Sequence, residues 1–301
     1  MAYTTPILII TFNRPDHVRK VLIEVRKQQP TQLFIAQDGP REGNANDRIK
    51  CVEVQNVVRE MVDWECDLHT NYQKTNLGCG RGPYEAMSWF FRKVEKGIIL
   101  EDDVVPHPLF FAYMDDLLER YKDDERVGMV TGHNLQRYYS RHNSYYFTHE
   151  MAGTYGWGTW RRVWKDFDFD IPYDEARFIP ALHEYGLMRL CRERSCRLYK
   201  QWMYGKDGSR QDFWDYQFDY YLMEHHFLNA RPNSCLTSHE GFGEDATHLT
   251  AYENAKYLME VNEARFTPIT HPNKVEIDRF VRYRMFKREV HLLLKKLWHK
   301  Q

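Results

Sequence analysis

The chain reads as an α/β protein built on a mostly parallel sheet, and three observations say so. Over the first 130 residues, short apolar runs alternate with segments of helical spacing. The runs are rich in Ile, Leu and Val and fit strands buried on both faces. One of them, Gly97-Ile98-Ile99-Leu100, ends abruptly in Glu101-Asp102-Asp103, and open α/β sheets bind ligands at the carboxyl ends of their strands. Repeated strand–helix–strand units imply parallel strands joined by right-handed crossovers.

The elements follow in order. Residues 6–12 (PILIITF) form the first strand. Pro15 suits a helix start, and Val18, Val21, Leu22 and Val25 carry helical spacing as far as Gln28. Leu33–Ala36 is the second strand, closed by the turn signal Gln37-Asp38-Gly39-Pro40. A helix is expected around Asp47–Val62 and a third strand over Asp67–Tyr72. Gly82–Lys96 reads as a helix with Ala86, Phe90 and Val94 on one side, Ile98–Leu100 as the fourth strand, Phe110–Tyr121 as a helix and Val127–Thr131 as the fifth strand. Beyond residue 131 the alternation breaks into loops rich in Gly, Trp, Tyr and Asp, with helices expected near Tyr173–Tyr204 and Asp215–Phe227. The composition divides the chain into 1–130, a nucleotide-type half, 131–260, a catalytic or acceptor half of the same domain, and 261–301, a basic helical tail.

The totals narrow the function. The chain has 301 residues with a formal charge of −1, so no global field favours nucleic acid or membrane. Aromatic residues make up 15%, including 20 Tyr and 8 Trp, which suits both a large core and stacking on sugars or bases. The six cysteines show no Cys-x-x-Cys spacing, so a reduced, cytoplasmic state is expected. Met1 is followed by polar residues and then a strand, without the basic and apolar regions of a signal peptide. No stretch approaches the roughly 20 apolar residues that span a bilayer.

Three consecutive carboxylates cannot be buried unpaired, because desolvating each costs several kcal/mol. A hard divalent ion such as Mg²⁺ or Mn²⁺, held by one or two of them and by substrate phosphates, answers that need; a solvated acidic loop answers it too. The first turn, Thr11-Phe12-Asn13-Arg14-Pro15-Asp16, lacks both the Gly-x-Gly-x-x-Gly of dinucleotide folds and the Gly-Lys-Ser/Thr of P-loops. It also lacks the Gly-rich turn with a downstream Lys expected of a sugar-nucleotide pyrophosphorylase.

The segments Ile9–Pro15, Gln37-Asp38-Gly39, Asn76-Leu77-Gly78, Glu101-Asp102-Asp103, Phe213-Trp214-Asp215 and Thr247-His248 occur in an order that resembles the GT-A class of nucleotide-sugar glycosyltransferases. Within that class the chain is similar to the branch containing N-acetylglucosaminyltransferase I and to bacterial proteins labelled hemolytic-protein-like (HlpA-like). The resemblance covers roughly residues 5–250, and its acidic triplet and Trp-Asp are the most specific parts. It implies a Rossmann-like nucleotide-diphospho-sugar transferase fold with a mixed, mostly parallel sheet and an acceptor side of helices and loops. It also implies a transferase of hexosyl or N-acetylhexosaminyl groups, moving sugar from a UDP-sugar, with UDP-GlcNAc as an analogy. The acceptor would be a glycan or lipid-linked saccharide, such as a bacterial surface polysaccharide, and the anomeric centre would invert.

By that resemblance Asp103 coordinates Mn²⁺ or Mg²⁺, while Asp102 and Glu101 hydrogen-bond the donor's ribose and sugar. Asp38 would accept the N3–H of uracil, although an Asx turn before Gly39-Pro40 is the plainer alternative. The expected donor side also includes Thr11 at the end of the first strand and Asn13 and Arg14 after it, and Arg14 can pair with a phosphate, stack on a base or cap a helix. Asn76, Gly78 and Arg81 belong to a Gly-rich turn whose backbone N–H groups can face an anion. Asp215, following Trp214, matches the base that takes the acceptor's proton; Asp212 is its competitor, and a helix cap is the structural alternative. Trp157, Trp160 and Trp214 are expected to stack on the acceptor. His248, in a Gly-containing loop that can close over the donor, would reach the diphosphate or metal, with His239 as the nearby competitor.

The tail carries eight Lys/Arg against one Glu from Arg279 to Gln301, with Tyr283, Phe286, Val290, Leu293, Leu294 and Leu297 at helical spacing. That pattern suits a peripheral contact with the inner face of a membrane, and equally a helix docked on its own domain or on a second subunit. Two other functions compete with the transferase. One is a non-catalytic protein that binds sugars or nucleotide sugars, which has no need of a base such as Asp215. The other is a metal-dependent phosphodiesterase, which needs a cluster of Asp and His ligands that the sequence does not show near 101–103.

Overall fold

The computed structural model describes residues 3–134, 140, 143–149, 153–185, 189–239 and 261–298. The fold is α/β around an eight-stranded, mixed, mostly parallel sheet. Strand β1 (Ile7–Thr11) is the apolar run of the first strand, almost wholly buried. Helix α1 (Pro15–Gln28) starts on its proline, and Val18, Val21, Leu22 and Val25 form its buried stripe. Strand β2 (Gln32–Gln37) is followed by helix α2 (Ala45–Met61), whose N-cap Asn44 accepts the amide N–H of Asp47. Strand β3 (Asp67–Tyr72) lies at the sheet edge, and its mostly polar sequence suits that place. Helix α3 (Gly78–Phe91) starts four residues before the position expected from its apolar spacing and ends five before.

Strand β4 (Lys96–Glu101) carries the first carboxylate of the triplet, and strand β5 (Val104–Pro106) begins immediately after the third. Helix α4 (Pro108–Arg120) and strand β6 (Val127–Thr131) fall where the periodicity places them. Among the described residues the remaining strands and α-helices are β7 (Tyr145–Thr148), β8 (Trp157–Trp160), α5 (Arg161–Trp164), α6 (Glu175–Glu184), α7 (Arg189–Met203), α8 (Asp215–Glu224), β9 (Leu228–Pro232), β10 (Thr237–His239) and α9 (Arg279–Trp298), with a 3-10 turn at Glu263–Arg265.

Strand order is β3-β2-β1-β4-β8-β6-β9-β7. Strands β1 to β4 pair in parallel, while β8 is inserted antiparallel to both β4 and β6, and β7 antiparallel to β9. The chain runs outward from β1 through β2 to β3, then returns to place β4 on the other side of β1. The crevice between the carboxyl ends of β1 and β4 is therefore a topological switch point. The Ile10–Glu101 register sets the first turn beside the acidic triplet.

Strands from residues 145–232 complete the same sheet, so the second half is not all helix and loop. Strand β8 is the clearest departure from expectation. Its Gly-Trp-Gly-Thr-Trp context reads as loop, yet Gly158 lies between Ile98 and Val130 in the sheet. A Cβ on Gly158 would come within 3.0 Å of both the Gly97 carbonyl and the Leu118 side chain, so close packing requires the glycine.

Helix α9 is docked at its start. Val281 is buried against Tyr146, and the Asp278 carboxylate accepts the N–H groups of Phe280 and Val281. Farther along, Tyr283 and Phe286 are about half exposed. Among the described residues no helix is long and apolar enough to cross a membrane.

Candidate active site

A cavity of about 720 Å³ opens at the carboxyl ends of β1, β2 and β4. Thr11, Arg14, Asp38, Asn76, Gly78, Glu101, Asp102, Asp103, Trp214 and Asp215, all expected at a site from the sequence, line it. The sheet supplies the first turn and the triplet, and the start of α8 supplies Asp215. Thr11 is held there by donating its hydroxyl hydrogen to the Ala36 carbonyl.

The triplet is organised by one cation of the chain itself. The Arg14 guanidinium pairs with Asp102 through one terminal nitrogen and with Asp103 through the other, at 3.0 Å. The Phe12 backbone N–H donates to Asp102 at 3.3 Å. Burial pushes the Asp102 carboxyl up to about 6 despite its arginine. Glu101 rises further, to about 8, through burial and then the charges of Asp103, Asp102 and Asp215. Arg14 is held more firmly protonated than usual, because Asp102 and Asp103 outweigh its own burial.

His239 closes the other side of Asp103. Its Nε2 lies 3.6 Å from Asp103 Oδ2, with the ring edge-on to Tyr155. Burial lowers its pKa below the ordinary histidine value, and Asp103 opposes that fall. The neutral imidazole is the form that can act as a ligand. His248, the other expected histidine, lies outside the described residues.

Asp38 has a different place from the one anticipated. Its Oδ1 accepts the N–H groups of Gly39 and Leu77, both at 2.8 Å, and its Oδ2 accepts the Asn76 side chain at 2.8 Å and the Gly78 N–H at 3.2 Å. Four donors fill a carboxylate that offers about four acceptor positions. The anion at the N-terminus of α3 is thus Asp38 itself, and the turn's amides are spent on it. Gly78, at φ +88°, makes this closed turn possible, and an added Cβ would meet the Asp212 carboxylate at 2.5 Å.

Four other expected residues stand off the cavity wall. Asn13 donates to the buried Asp47 at 2.8 Å, helping Arg41 hold the start of α2. Arg81 turns outward over the Phe169 ring, with Asp170 at 3.7 Å. Trp157 and Trp160 sit in β8 and are buried as core. Trp157 stacks on Trp214 with centroids 5.7 Å apart, and Trp160 donates its indole N–H to the Leu118 carbonyl. They are core because β8 lies inside the sheet rather than in a loop.

The cavity's aromatic wall comes instead from Trp202, Phe213, Trp214 and Tyr216. Trp202 and Tyr216 stack at 5.0 Å with nearly parallel rings, and Phe213 meets Tyr216 edge-on. Phe213 and Tyr216 flank the Trp-Asp pair in sequence, which was a usable signal. Trp202 comes from α7 and carries no local signal.

Among the described residues the wall holds six carboxyl groups, Asp38, Glu101, Asp102, Asp103, Asp215 and Asp219, against the guanidinium groups of Arg14 and Arg41. Asp103 Oδ1 is buried and has no hydrogen-bond partner among the described residues. Among the described residues no three His, Cys, Asp or Glu side chains are grouped to hold an ion alone. A divalent ion here would therefore take one or two protein ligands and complete its shell from a ligand's oxygens, as Mg²⁺ and Mn²⁺ commonly do. The residues present fit such an ion.

No protein-family model matches the chain, and no curated protein is recognisably similar to it in sequence. Solved structures with partial likeness include mouse xyloside xylosyltransferase 1, at 12% identity and TM-score 0.37, covering 75% of this chain and 84% of that one. A 4-diphosphocytidyl-2C-methyl-D-erythritol synthase from Anaerococcus prevotii matches at 7% identity and TM-score 0.34, covering 83% of this chain and 94% of its own. An inositol-1-phosphate CTP transferase from T. maritima matches at 10% identity and TM-score 0.32, covering 55% and 74%. At such scores the functional reading rests on the cavity and not on these relatives.

Proposed function

We propose that the chain is a GT-A glycosyltransferase that uses a divalent cation and a UDP-sugar donor. One observation carries the reading. The acidic triplet and Asp215 line the same cavity at the switch point of the sheet, beside an aromatic wall. An anionic diphosphate would be repelled by the charged carboxylates of this wall unless a cation joined it, and among the described residues Asp103 Oδ1 has no hydrogen-bond partner and so offers a ligand position.

Asp103 and His239 are the residues that would hold Mn²⁺ or Mg²⁺. When bound, the ion supplies charge neutralisation at the leaving diphosphate. Arg14, freed from its carboxylates, is long enough and cationic enough to pair with a phosphate oxygen. Glu101 is kept protonated near neutral pH by burial, so it can donate a hydrogen bond to a sugar or ribose hydroxyl as well as accept one. Asp215 takes the proton from the acceptor hydroxyl as that oxygen attacks the anomeric carbon, giving inversion. Trp202 and Tyr216, both partly exposed on the cavity wall, provide flat apolar surfaces on which a sugar ring can lie.

The test is UDP release from a panel of UDP-sugars with Mn²⁺, followed by mass spectrometry, for wild type and Asp215→Asn. Turnover in the wild type, reduced about 100-fold or more in the variant, supports the reading. No turnover of any UDP-sugar, alone or with saccharide acceptors, contradicts it.

A further inference from the structure

We infer that Arg14 is a resident counter-ion, and that its withdrawal from Asp102 and Asp103 couples cation uptake to binding of a nucleotide diphosphate. The inference rests on the donor-site reading above. The Arg14 guanidinium bridges the two carboxylates, so the chain's own positive charge occupies the space beside Asp103. Asp102 and Asp103 are almost buried, whereas the Arg14 side chain is 29% exposed and borders the cavity. The acids are therefore fixed and the arginine is the group with room to move.

Its backbone is anchored independently, since the Arg14 carbonyl accepts the Val18 N–H at the start of α1. Departure of the side chain does not unwind the helix. A divalent ion on Asp103 would sit within about 5 Å of the guanidinium, where two cations repel strongly in a partly desolvated site. Metal without nucleotide thus competes with Arg14. A diphosphate changes the balance, because it offers oxygens to the metal and to the displaced guanidinium together. Metal and nucleotide then strengthen each other's binding, and by linkage the factor is the same in both directions.

The test is Mn²⁺ binding followed by electron paramagnetic resonance at pH 8.5, well above the ordinary carboxylate range, with and without UDP. Wild type, Arg14→Gln and Arg14→Lys are compared, with thermal melts recorded for each. In the wild type UDP should strengthen Mn²⁺ binding by about tenfold or more, within the usual range of such coupling. In Arg14→Gln, Mn²⁺ alone should bind about tenfold more tightly than to wild type, and the gain from UDP should shrink to about threefold or less. Arg14→Lys, whose single ammonium lacks the two-nitrogen fork that meets Asp102 and Asp103 separately, should fall between the two. The inference is overturned if wild type binds Mn²⁺ with UDP but neither variant binds Mn²⁺ alone more tightly than wild type does. If wild type takes up no Mn²⁺ even with UDP, the donor-site reading itself fails and takes the inference with it.

Discussion

His239 Nε2 lies 3.6 Å from Asp103 Oδ2 because β10 pairs antiparallel with β5 in a register that sets His239 opposite Val104. The ribbon that follows the acidic triplet thereby returns a neutral imidazole to the triplet's last carboxylate. If this pair holds the cation, His239→Ala should weaken Mn²⁺ binding in the presence of UDP by about 10- to 100-fold. Calorimetric titration of Mn²⁺ into the UDP complex reads this directly, and unchanged affinity would remove His239 from the site.

Glu101 sets a pH signature. Its carboxyl rises from an ordinary 4.5 to about 8 on folding. The folded state thus keeps a proton that the unfolded chain gives up. The stabilising contribution of that proton is full below about pH 4.5 and is lost as pH rises towards 8. Asp102 acts with the same sign, between 3.8 and about 6. The ligand-free protein should lose stability between pH 5 and 8, and Glu101→Gln should flatten the upper part of that slope. Melting temperatures at half-unit pH steps decide it: the variant should overtake wild type near pH 8. Parallel curves would contradict the assigned environment.

Asp38 ties the Asn76–Gly78 turn to the end of β2. Asp38→Asn replaces one acceptor oxygen by a donor that faces the Asn76 amide and the Gly78 N–H. Each spoiled contact costs about 1–3 kcal/mol, so the melting temperature should fall by several degrees whether or not UDP is present. A variant that melts like wild type but no longer tells UDP from other nucleotides would instead make Asp38 the base reader.

Two tryptophans separate packing from recognition. Trp157 is fully buried, and Trp157→Ala should cost about 3–5 kcal/mol. Trp202 is partly exposed on the cavity wall, and Trp202→Ala should cost about 1 kcal/mol or less. Only the second should impair use of a saccharide acceptor while leaving the response to UDP intact. Chemical denaturation and acceptor-dependent turnover give the two readings.

The outer parallel half was legible because its core strands are short apolar runs and its helices carry 3.6-residue stripes; α1 and β3 fall on their expected bounds. Strand β8 was not, because its glycines read as loop and its sheet neighbours β4 and β6 are distant in sequence. Of the site, the triplet and Asp215 could be found because charge at a strand end and an acid after Trp are local features. The Asp38 tie, the Arg14 bridge, the Trp202–Tyr216 stack and the His239 register could not. Each depends on segments that meet only after folding. The same limit misled the expectation for Asn13 and Arg81, whose polar partners Asp47 and Asp170 lie off the cavity wall.

The most direct test of the account is thermal stabilisation by UDP, with and without Mn²⁺, in wild type and Asp103→Asn. Stabilisation that needs both UDP and Mn²⁺ and disappears in Asp103→Asn is the predicted result. Equal stabilisation by UDP without the metal, an unchanged response in the variant, or no response in the wild type would contradict it.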